Sequence, residues 1–434
     1  MSRTTGKARF WLALVIFGLT GQIAWVVENM YFNVFIYKMF NASASAISAM
    51  VSASAVAATV TTVLIGALSD KVGRRKLFIC AGYILWGLSI ASFALVRVDV
   101  LSGLFPAASA AAVGVTITII LDCVMTFFGS SANDACFNAW LTDSTDHTNR
   151  GAAEGINAMM PLVAILAVFG GFMSFDLDRV SSWTSIFLII GGVVVLIGVL
   201  GLFLIQDAAV KIPENRHYFA NIVYGFRPSV MKQNKVLYAT LIAFAVFGIS
   251  IQIFMPYLIL YYEVSLQMTD YVLVMAPAII LASVATAFYG RLYDRFGFAR
   301  SSMPALMLLL AGYGVLYFSR ATLPVFIGSL LMMTGYLAGM AVFGAMLRDH
   351  TPENKAGMFQ GLRIVAQVLV PGIIGPAIGV YVLRDADKIV NNDGTESFVP
   401  NVSIFFAAAV VAVLVFVALV PILKRKKGES NREG

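Results

Sequence analysis

Glu28, Asp122 and Asp134 are acids set in otherwise apolar stretches of a 434-residue chain. A charged side chain at mid-bilayer depth carries an apparent insertion penalty of roughly 2.5 to 3.5 kcal/mol, so acids kept there usually serve a solute, an ion or a buried partner. Around Asp134, the residues Ser130, Ser131, Asn138 and Thr142 recur at helical spacing, which predicts a helix with one wet face. Gln22, Trp25, Asn29 and Asn33 form a second such face, with Glu28 turned about 100° from Asn29. Later in the chain Arg363 and Gln367 share a helical face, and Gln252 and Tyr257 lie on another apolar stretch with Tyr261 and Tyr262. Amides and carboxylates beside an indole suit a polyhydroxylated ligand stacked on Trp25, and they equally suit an amphipathic cation. The binding candidates are therefore Gln22, Trp25, Asn29, Asp134, Asn138, Gln252, Tyr257, Arg363 and Gln367. A carboxyl in an apolar bundle can cycle between charged and neutral forms, which makes Asp134, Glu28 and Asp122 the ion-coupling candidates.

Covalent catalysis finds no support in these residues. There is no metal-ligand spacing, no phosphate-binding Gly-Lys-Ser/Thr loop and no nucleophile elbow. His147, His217 and His350 lack ligand spacing, and Cys80, Cys123 and Cys136 fall in apolar stretches where they serve as small packing residues. No cofactor, no metal and no enzymatic activity are expected.

The elements that must carry these residues follow from composition. With 59% apolar and 12% charged residues, and a mean hydropathy of +0.85, the chain has too little polar surface to face water throughout. Spans long enough to cross about 30 Å of hydrocarbon are read at 10–37, 45–68, 77–97, 112–142, 152–175 and 182–206, then at 236–262, 270–293, 301–319, 322–347, 356–383 and 401–423. The third span is read as running through Val98 to Ala110 into a long fourth. An all-α membrane protein of twelve helices results, with a six-helix bundle at 1–206, a central loop at 207–235, a second bundle at 236–423 and a basic tail at 424–434. The first span is too long for the apolar core of a cleavable signal and is expected to remain as a helix.

Basic residues set the orientation. With both termini cytoplasmic, the opposite face keeps only Lys38, Arg97, Arg179, Arg320, Arg384 and Lys388, and Arg363 lies inside a span. The net charge of +7 is thereby explained by topology in a cell membrane, without a nucleic-acid partner.

The two halves echo one another. Gly66-Ala-Leu-Ser-Asp70-Lys-Val-Gly73-Arg74-Arg75-Lys76 recurs 224 residues later as Gly290-Arg-Leu-Tyr-Asp294-Arg-Phe-Gly297-Phe-Ala-Arg300. A second echo relates Asp143-Ser-Thr145 with Gly155 to Asp349-His-Thr351 with Gly361, at an offset of 206. The first motif resembles the signature of the loop between helices 2 and 3 in the major facilitator superfamily, and its repeat resembles the weaker copy in the second half. That resemblance covers essentially the whole chain and implies two pseudo-symmetric six-helix bundles working by alternating access. It also implies gating roles for Gly66, Asp70, Gly73, Arg74, Gly290, Asp294 and Gly297. By the second echo Asp70 is expected near Lys355, and Asp294 near Arg150, as a cytoplasmic latch; the same charges could instead only cap helices.

Within that superfamily the chain is similar to the glycoside-pentoside-hexuronide:cation symporters typified by the melibiose permease. The likeness rests on Asp134-Ala-Cys-Phe137 in the long fourth helix and on the aromatic run Met30-Tyr-Phe-Asn-Val-Phe-Ile-Tyr37. It implies a secondary transporter for a sugar or glycoside, probed best at Asp134. That family's paired acids on helix 2 fall near Ala58 and Thr62, and its helix-11 lysine near Pro371, so a hard cation would lack ligands there and a proton is the simpler coupling ion beside sodium. Arg363 and Asp134 lie at similar depths, about 10 Å along their helices. They are expected either to pair across the bundles or to be satisfied separately, Arg363 by snorkelling to water. A rival reading is a proton-coupled drug or metabolite exporter, because Gly372-Ile-Ile-Gly375-Pro376-Ala-Ile-Gly379 is similar to the Gly-Pro motif of antiporters. Its position on helix 11 instead of helix 5 favours close packing and a bend. Uniport and a non-transporting receptor of the same fold complete the alternatives. The expected partners are a small-molecule solute, a coupling proton or sodium ion and the lipid bilayer, with the chain acting as a monomer.

Overall fold

The computed structural model describes residues 3–106, 109–145, 149–207, 224–268, 270–351, 356–391 and 394–430. Its membrane-crossing helices are α1 (Ala8–Phe40), α2 (Ala44–Val72), α3 (Arg75–Leu95), α4 (Ala110–Asp143), α5 (Arg150–Phe172), α6 (Val180–Leu204), α7 (Lys235–Ser265), α8 (Tyr271–Tyr289), α9 (Arg291–Phe318), α10 (Thr322–His350), α11 (Gly361–Leu383) and α12 (Ser403–Val420). Among the described residues, all but α5 are long and apolar enough to span a membrane, and the apolar part of α5 is the shorter Ile156–Phe172. The chain divides into two units, Met1–Tyr218 and Phe219–Gly434, each carrying six of these helices. Helices dominate because hydrocarbon offers backbone amides no partner other than the helix itself.

Two local features differ from the sequence reading. The third span does not run on into the fourth: α3 ends in a 3-10 turn at Phe93–Leu95, and Val98–Leu104 forms a separate short helix. Arg97 grips Asp99 at 2.6 Å and holds its carboxyl below the usual range, chiefly by the side-chain hydrogen bond. The chain is also not wholly helical. Lys388–Val390 and Glu396–Phe398 pair as an antiparallel hairpin between α11 and α12, with Gly394 at φ 80° in the turn and Lys388 bonded to Glu396 at 2.8 Å. A left-handed turn residue with no Cβ is what a tight hairpin needs.

Small residues and rings pack each unit. In the first, a Cβ on Gly87 would lie 2.5 Å from the Gly191 carbonyl oxygen, so α3 and α6 touch backbone to backbone. Phe32, Phe35, Phe93, Trp183 and Phe187 interlock beside them, with Phe32 and Phe93 centred 4.6 Å apart. In the second unit, Ser250 on α7 donates to the Ala408 carbonyl of α12 at 2.8 Å and meets the Tyr313 hydroxyl of α9 at 3.0 Å.

The repeated turn has a backbone reason. Gly73 (φ 70°) and Gly297 (φ 71°) occupy matching places in the two copies and both have positive φ, which side-chain-bearing residues adopt only under strain. The side chains around the two turns differ. In the first half Arg75 is buried and reaches three partners: its Nε donates to Asp143 at 3.1 Å, and its terminal nitrogens bond Asp70 and the Ser69 hydroxyl. The ends of α2, α3 and α4 are thereby stapled by one guanidinium. At the position equivalent to Arg75 the second half has Ala299, and there Asp349 is held by the Tyr293 hydroxyl while Asp294 is exposed. Arg75 was not singled out from the sequence. Of the expected latch partners, Lys355 lies outside the described residues, and Arg150 opens α5.

Arg75→Ala should destabilise the first unit by about 2 kcal/mol, below the figure for fully buried pairs because Asp70 and Asp143 keep partial exposure. Thermal unfolding in detergent should show a fall of several degrees, with Arg75→Lys in between; an unchanged transition would show that the staple is energetically idle. Gly297→Ala should cost about 1 to 3 kcal/mol through strain alone, in the same assay.

Candidate functional site

Among the described residues, four membrane helices contain π-helical segments, and each segment holds at least one polar side chain. The π-helical segments are Val27–Tyr31 in α1, Ser130–Phe137 in α4, Tyr261–Ser265 in α7 and Val365–Leu369 in α11. An extra residue per turn rotates the side chains that follow and widens the hydrogen-bond ladder, and such bulges collect at functional positions.

In the first unit, α1 and α4 bring the predicted residues together. Ser130 donates to Asp134 Oδ2 at 3.0 Å, and the Trp25 indole is a near neighbour of that carboxylate. Trp25 also directs Nε1 to the Asn133 amide oxygen at 3.4 Å and leans on Trp86 with centroids 5.0 Å apart. Asn29 and Asn138 are exposed, and each uses its amide to bond a carbonyl one turn back, Asn29 to Trp25 at 2.8 Å and Asn138 to Asp134 at 3.2 Å. Gln22 is half-buried one turn before Trp25. A half-buried indole, a carboxylate and two exposed amides thus share one neighbourhood.

Asn133 and Tyr83 hold this arrangement and were missed. Asn133 donates to the Tyr83 hydroxyl at 2.7 Å, and that hydroxyl donates to the Phe17 carbonyl at 2.8 Å, a buried chain linking α4, α3 and α1. The signal was in the glycines. A Cβ at Gly21 would overlap the Asn133 amide, and one at Gly82 would lie 2.6 Å from the Ala132 Cβ. Spacing on a single helix does not reveal such facing partners.

Glu28 and Asp122 belong to a second, deeper cluster. Ser54 of α2 and Thr126 of α4 both donate to Glu28 Oε1, at 2.7 and 2.9 Å, and the two hydroxyls lie 2.8 Å apart. Asp122, fully buried one turn before Thr126 on the same helix, lies next to this cluster. Asn33 is fully buried and donates to the Asn29 carbonyl at 3.1 Å, so it ends the wet face instead of extending it.

In the second unit Arg363 and Gln367 share a face as expected, with Arg363 Nε 3.3 Å from the Gln367 amide oxygen. Gln252 is half-buried against Gly375. Tyr257, expected to meet a ligand, is fully buried, with its ring against Gly379 and Phe398, and serves packing in this state. Tyr262 bonds Ser329, and Tyr261 packs on Phe405. The Gly372–Gly379 stretch lies along α7: Pro371 meets Gly248, Gly375 meets Gln252 and Gly379 meets Tyr257. Close packing accounts for this motif. Gly66 lies against Ala135 of α4, Arg74 is exposed, and Gly290 lies within the helical run that joins α8 to α9. Among the described residues no group of three or more His, Cys, Asp or Glu is placed to hold a metal.

Comparison with known proteins places this architecture. No curated relative matches the chain by sequence. The fold is similar to a variant of the nucleoside transporter NupG (TM-score 0.71, 13% identity, 94% of this chain and 98% of that one). It is also similar to the xylose transporter XylE from E. coli (0.68, 14%, 94% and 97%) and to an inward-facing bacterial homologue of the human lysosomal transporter Spinster (0.67, 14%, 96% and 97%). At these identities the likeness concerns the fold. The family model of the Major Facilitator Superfamily matches residues 10–376 and 272–434. With the helical architecture and the doubled glycine turn, that match shows that the chain belongs to the Major Facilitator Superfamily, and is a membrane transporter and not an enzyme.

Proposed function

We propose that this transporter moves a small polyhydroxylated solute, of the sugar or glycoside class, by alternating access coupled to a proton. The observation that carries the reading is the α1–α4 neighbourhood of Trp25, Asn29, Asp134 and Asn138, where an aromatic face adjoins a carboxylate and exposed amides. Hydroxyl-rich rings present apolar faces to stack and hydroxyls to bond, so these groups match both sides of such a solute. The likeness of Asp134-Ala-Cys-Phe137 to the melibiose-permease branch supports the same class, as do the nucleoside and xylose named for two structures of similar fold. A nucleoside is therefore included as a glycoside. In this reading Asp134 binds the solute, and Gln22 and Trp25 flank it.

Coupling runs through the acids of α1 and α4. Neutralising a carboxylate as the solute is enclosed removes a charge that would oppose dehydration of the site. The charge asymmetry of the loops supports an orientation with both termini cytoplasmic. The drug-export reading gains nothing from its glycine motif, whose members meet α7 closely.

Proteoliposomes holding the purified chain should accumulate at least one labelled sugar or nucleoside when a proton gradient is imposed, and a sodium gradient alone should not drive it. Uptake no faster than in empty liposomes across the whole panel would end the proposal. Asp134→Asn should raise the KM for that solute tenfold or more, since a hydrogen bond to a charged group contributes about 1.5 to 3 kcal/mol. An unchanged KM would remove Asp134 from the binding site.

A further inference from the structure

Glu28 and Asp122 are enclosed to an extent that Asp134 is not. Glu28 is 7% exposed and Asp122 1%, while Asp134 keeps partial exposure. Glu28 Oε1 accepts two hydroxyl hydrogen bonds, yet Glu28 Oε2 and Asp122 Oδ1 are buried with no hydrogen-bond partner. Among the described residues of the first unit, no cationic side chain is paired with them. The span of α2 from Ala44 to Ser69 has no titratable side chain, and α4 contributes only Asp122, Asp134 and the Cys123 thiol nearby. Tyr83 of α3 is engaged by Asn133 and the Phe17 carbonyl, Arg75 by Asp70 and Asp143, and Lys38 of α1 by Asp178 at 3.0 Å.

Two ionised carboxylates in a low-dielectric interior with no counter-charge repel one another and forgo hydration, and sharing one positive charge relieves both costs. A proton suits the inventory. A single O–H group makes one orphaned oxygen a donor, leaves the other as its acceptor, and removes one negative charge. We propose that Glu28 and Asp122 form a carboxyl dyad holding one proton between them, with Ser54 and Thr126 donating to Glu28, and that this dyad is the coupling site, separate from the solute contacts at Asp134. On uptake, a proton from water forms an O–H bond on one carboxylate of the pair. On release that bond breaks and the proton returns to water, with no redox change. Helix α2, which carries Ser54, also carries Asp70 at its far end, so one rigid element joins the dyad to the Arg75 staple.

The inference rests on the transporter reading only for the word coupling, and its first test needs no solute. Infrared difference spectra of the purified full chain, titrated in H2O and in D2O, should contain a protonated-carboxyl band that moves on isotopic exchange. Glu28→Gln and Asp122→Asn should each displace or abolish it, and Asp99→Asn, at an exposed loop acid, should not. A band altered by only one of the two substitutions would overturn sharing, and a band altered by neither would overturn the dyad. A wild-type band that disappears on adding sodium would make the occupant a sodium ion and overturn the proton assignment. Should either variant fail to fold, Ser54→Ala should still shift the band, and an unshifted band there counts against the proposal. In proteoliposomes, both acid variants should lose at least tenfold in gradient-driven accumulation while solute counterflow persists; retained accumulation would overturn the coupling role. Absence of transport by the wild type would strike the proposed function alone and leave the spectral result standing.

Discussion

A polar atom inside hydrocarbon must find its partner within the protein, and most of this molecule answers to that constraint. Backbone groups meet it by forming helices, and the side chains meet it in two ways. Hydroxyls of Ser and Thr bond the carbonyl one turn back, as Thr118 does with Gly114 and Thr334 with Leu330. Larger polar groups join chains across helices, as Trp25, Asn133, Tyr83 and the Phe17 carbonyl do. A third set is buried without a hydrogen-bond partner: Glu28 Oε2 and Asp122 Oδ1, and with them Asn33 Oδ1, Thr62 Oγ1 and Trp86 Nε1. A transporter needs polar groups that the protein alone does not satisfy.

The π-helical segments show how the helices accommodate this demand. A straight α-helix repeats its faces every 3.6 residues, so a wet face at one depth tends to persist toward the lipid. In α4 the bulge at Ser130–Phe137 itself carries Ser130 and Asp134, and it begins one turn after Thr126, which serves the Glu28–Asp122 cluster. In α1 the bulge at Val27–Tyr31 lies between Trp25 and the buried Asn33. Two neighbouring acids can thus have different surroundings, one enclosed by hydroxyls and one beside an indole and exposed amides, and different surroundings permit different tasks.

The doubled turn reveals a division of labour between halves of common design. Both copies keep the positive-φ glycine because the chain reverses there, and backbone geometry admits little else. Only the first keeps the arginine that binds two acids and a serine; the second has a tyrosine–aspartate hydrogen bond instead. One half therefore has an electrostatic staple at its turn and the other a hydrogen bond. Duplication preserved the backbone rule and relaxed the side chains.

Sequence alone determined the helical class, the two sets of six spans, the doubled turn and the wet faces carrying Trp25, Asn29, Asp134 and Asn138. These depend on local properties: apolar length, helical period and the backbone freedom of glycine. Tertiary structure decided the rest. It turned Tyr257 and Asn33 into the core, made Arg75 the partner of Asp70 and Asp143, and brought Asn133 and Tyr83 beneath the indole. It also ended α3 before Arg97 and folded a hairpin between α11 and α12. Which neighbour meets a side chain depends on helices distant in sequence, and Ser54 reaches Glu28 across 26 residues while Thr126 reaches it across 98. Periodicity along one helix assigns a face, but only packing supplies what that face touches.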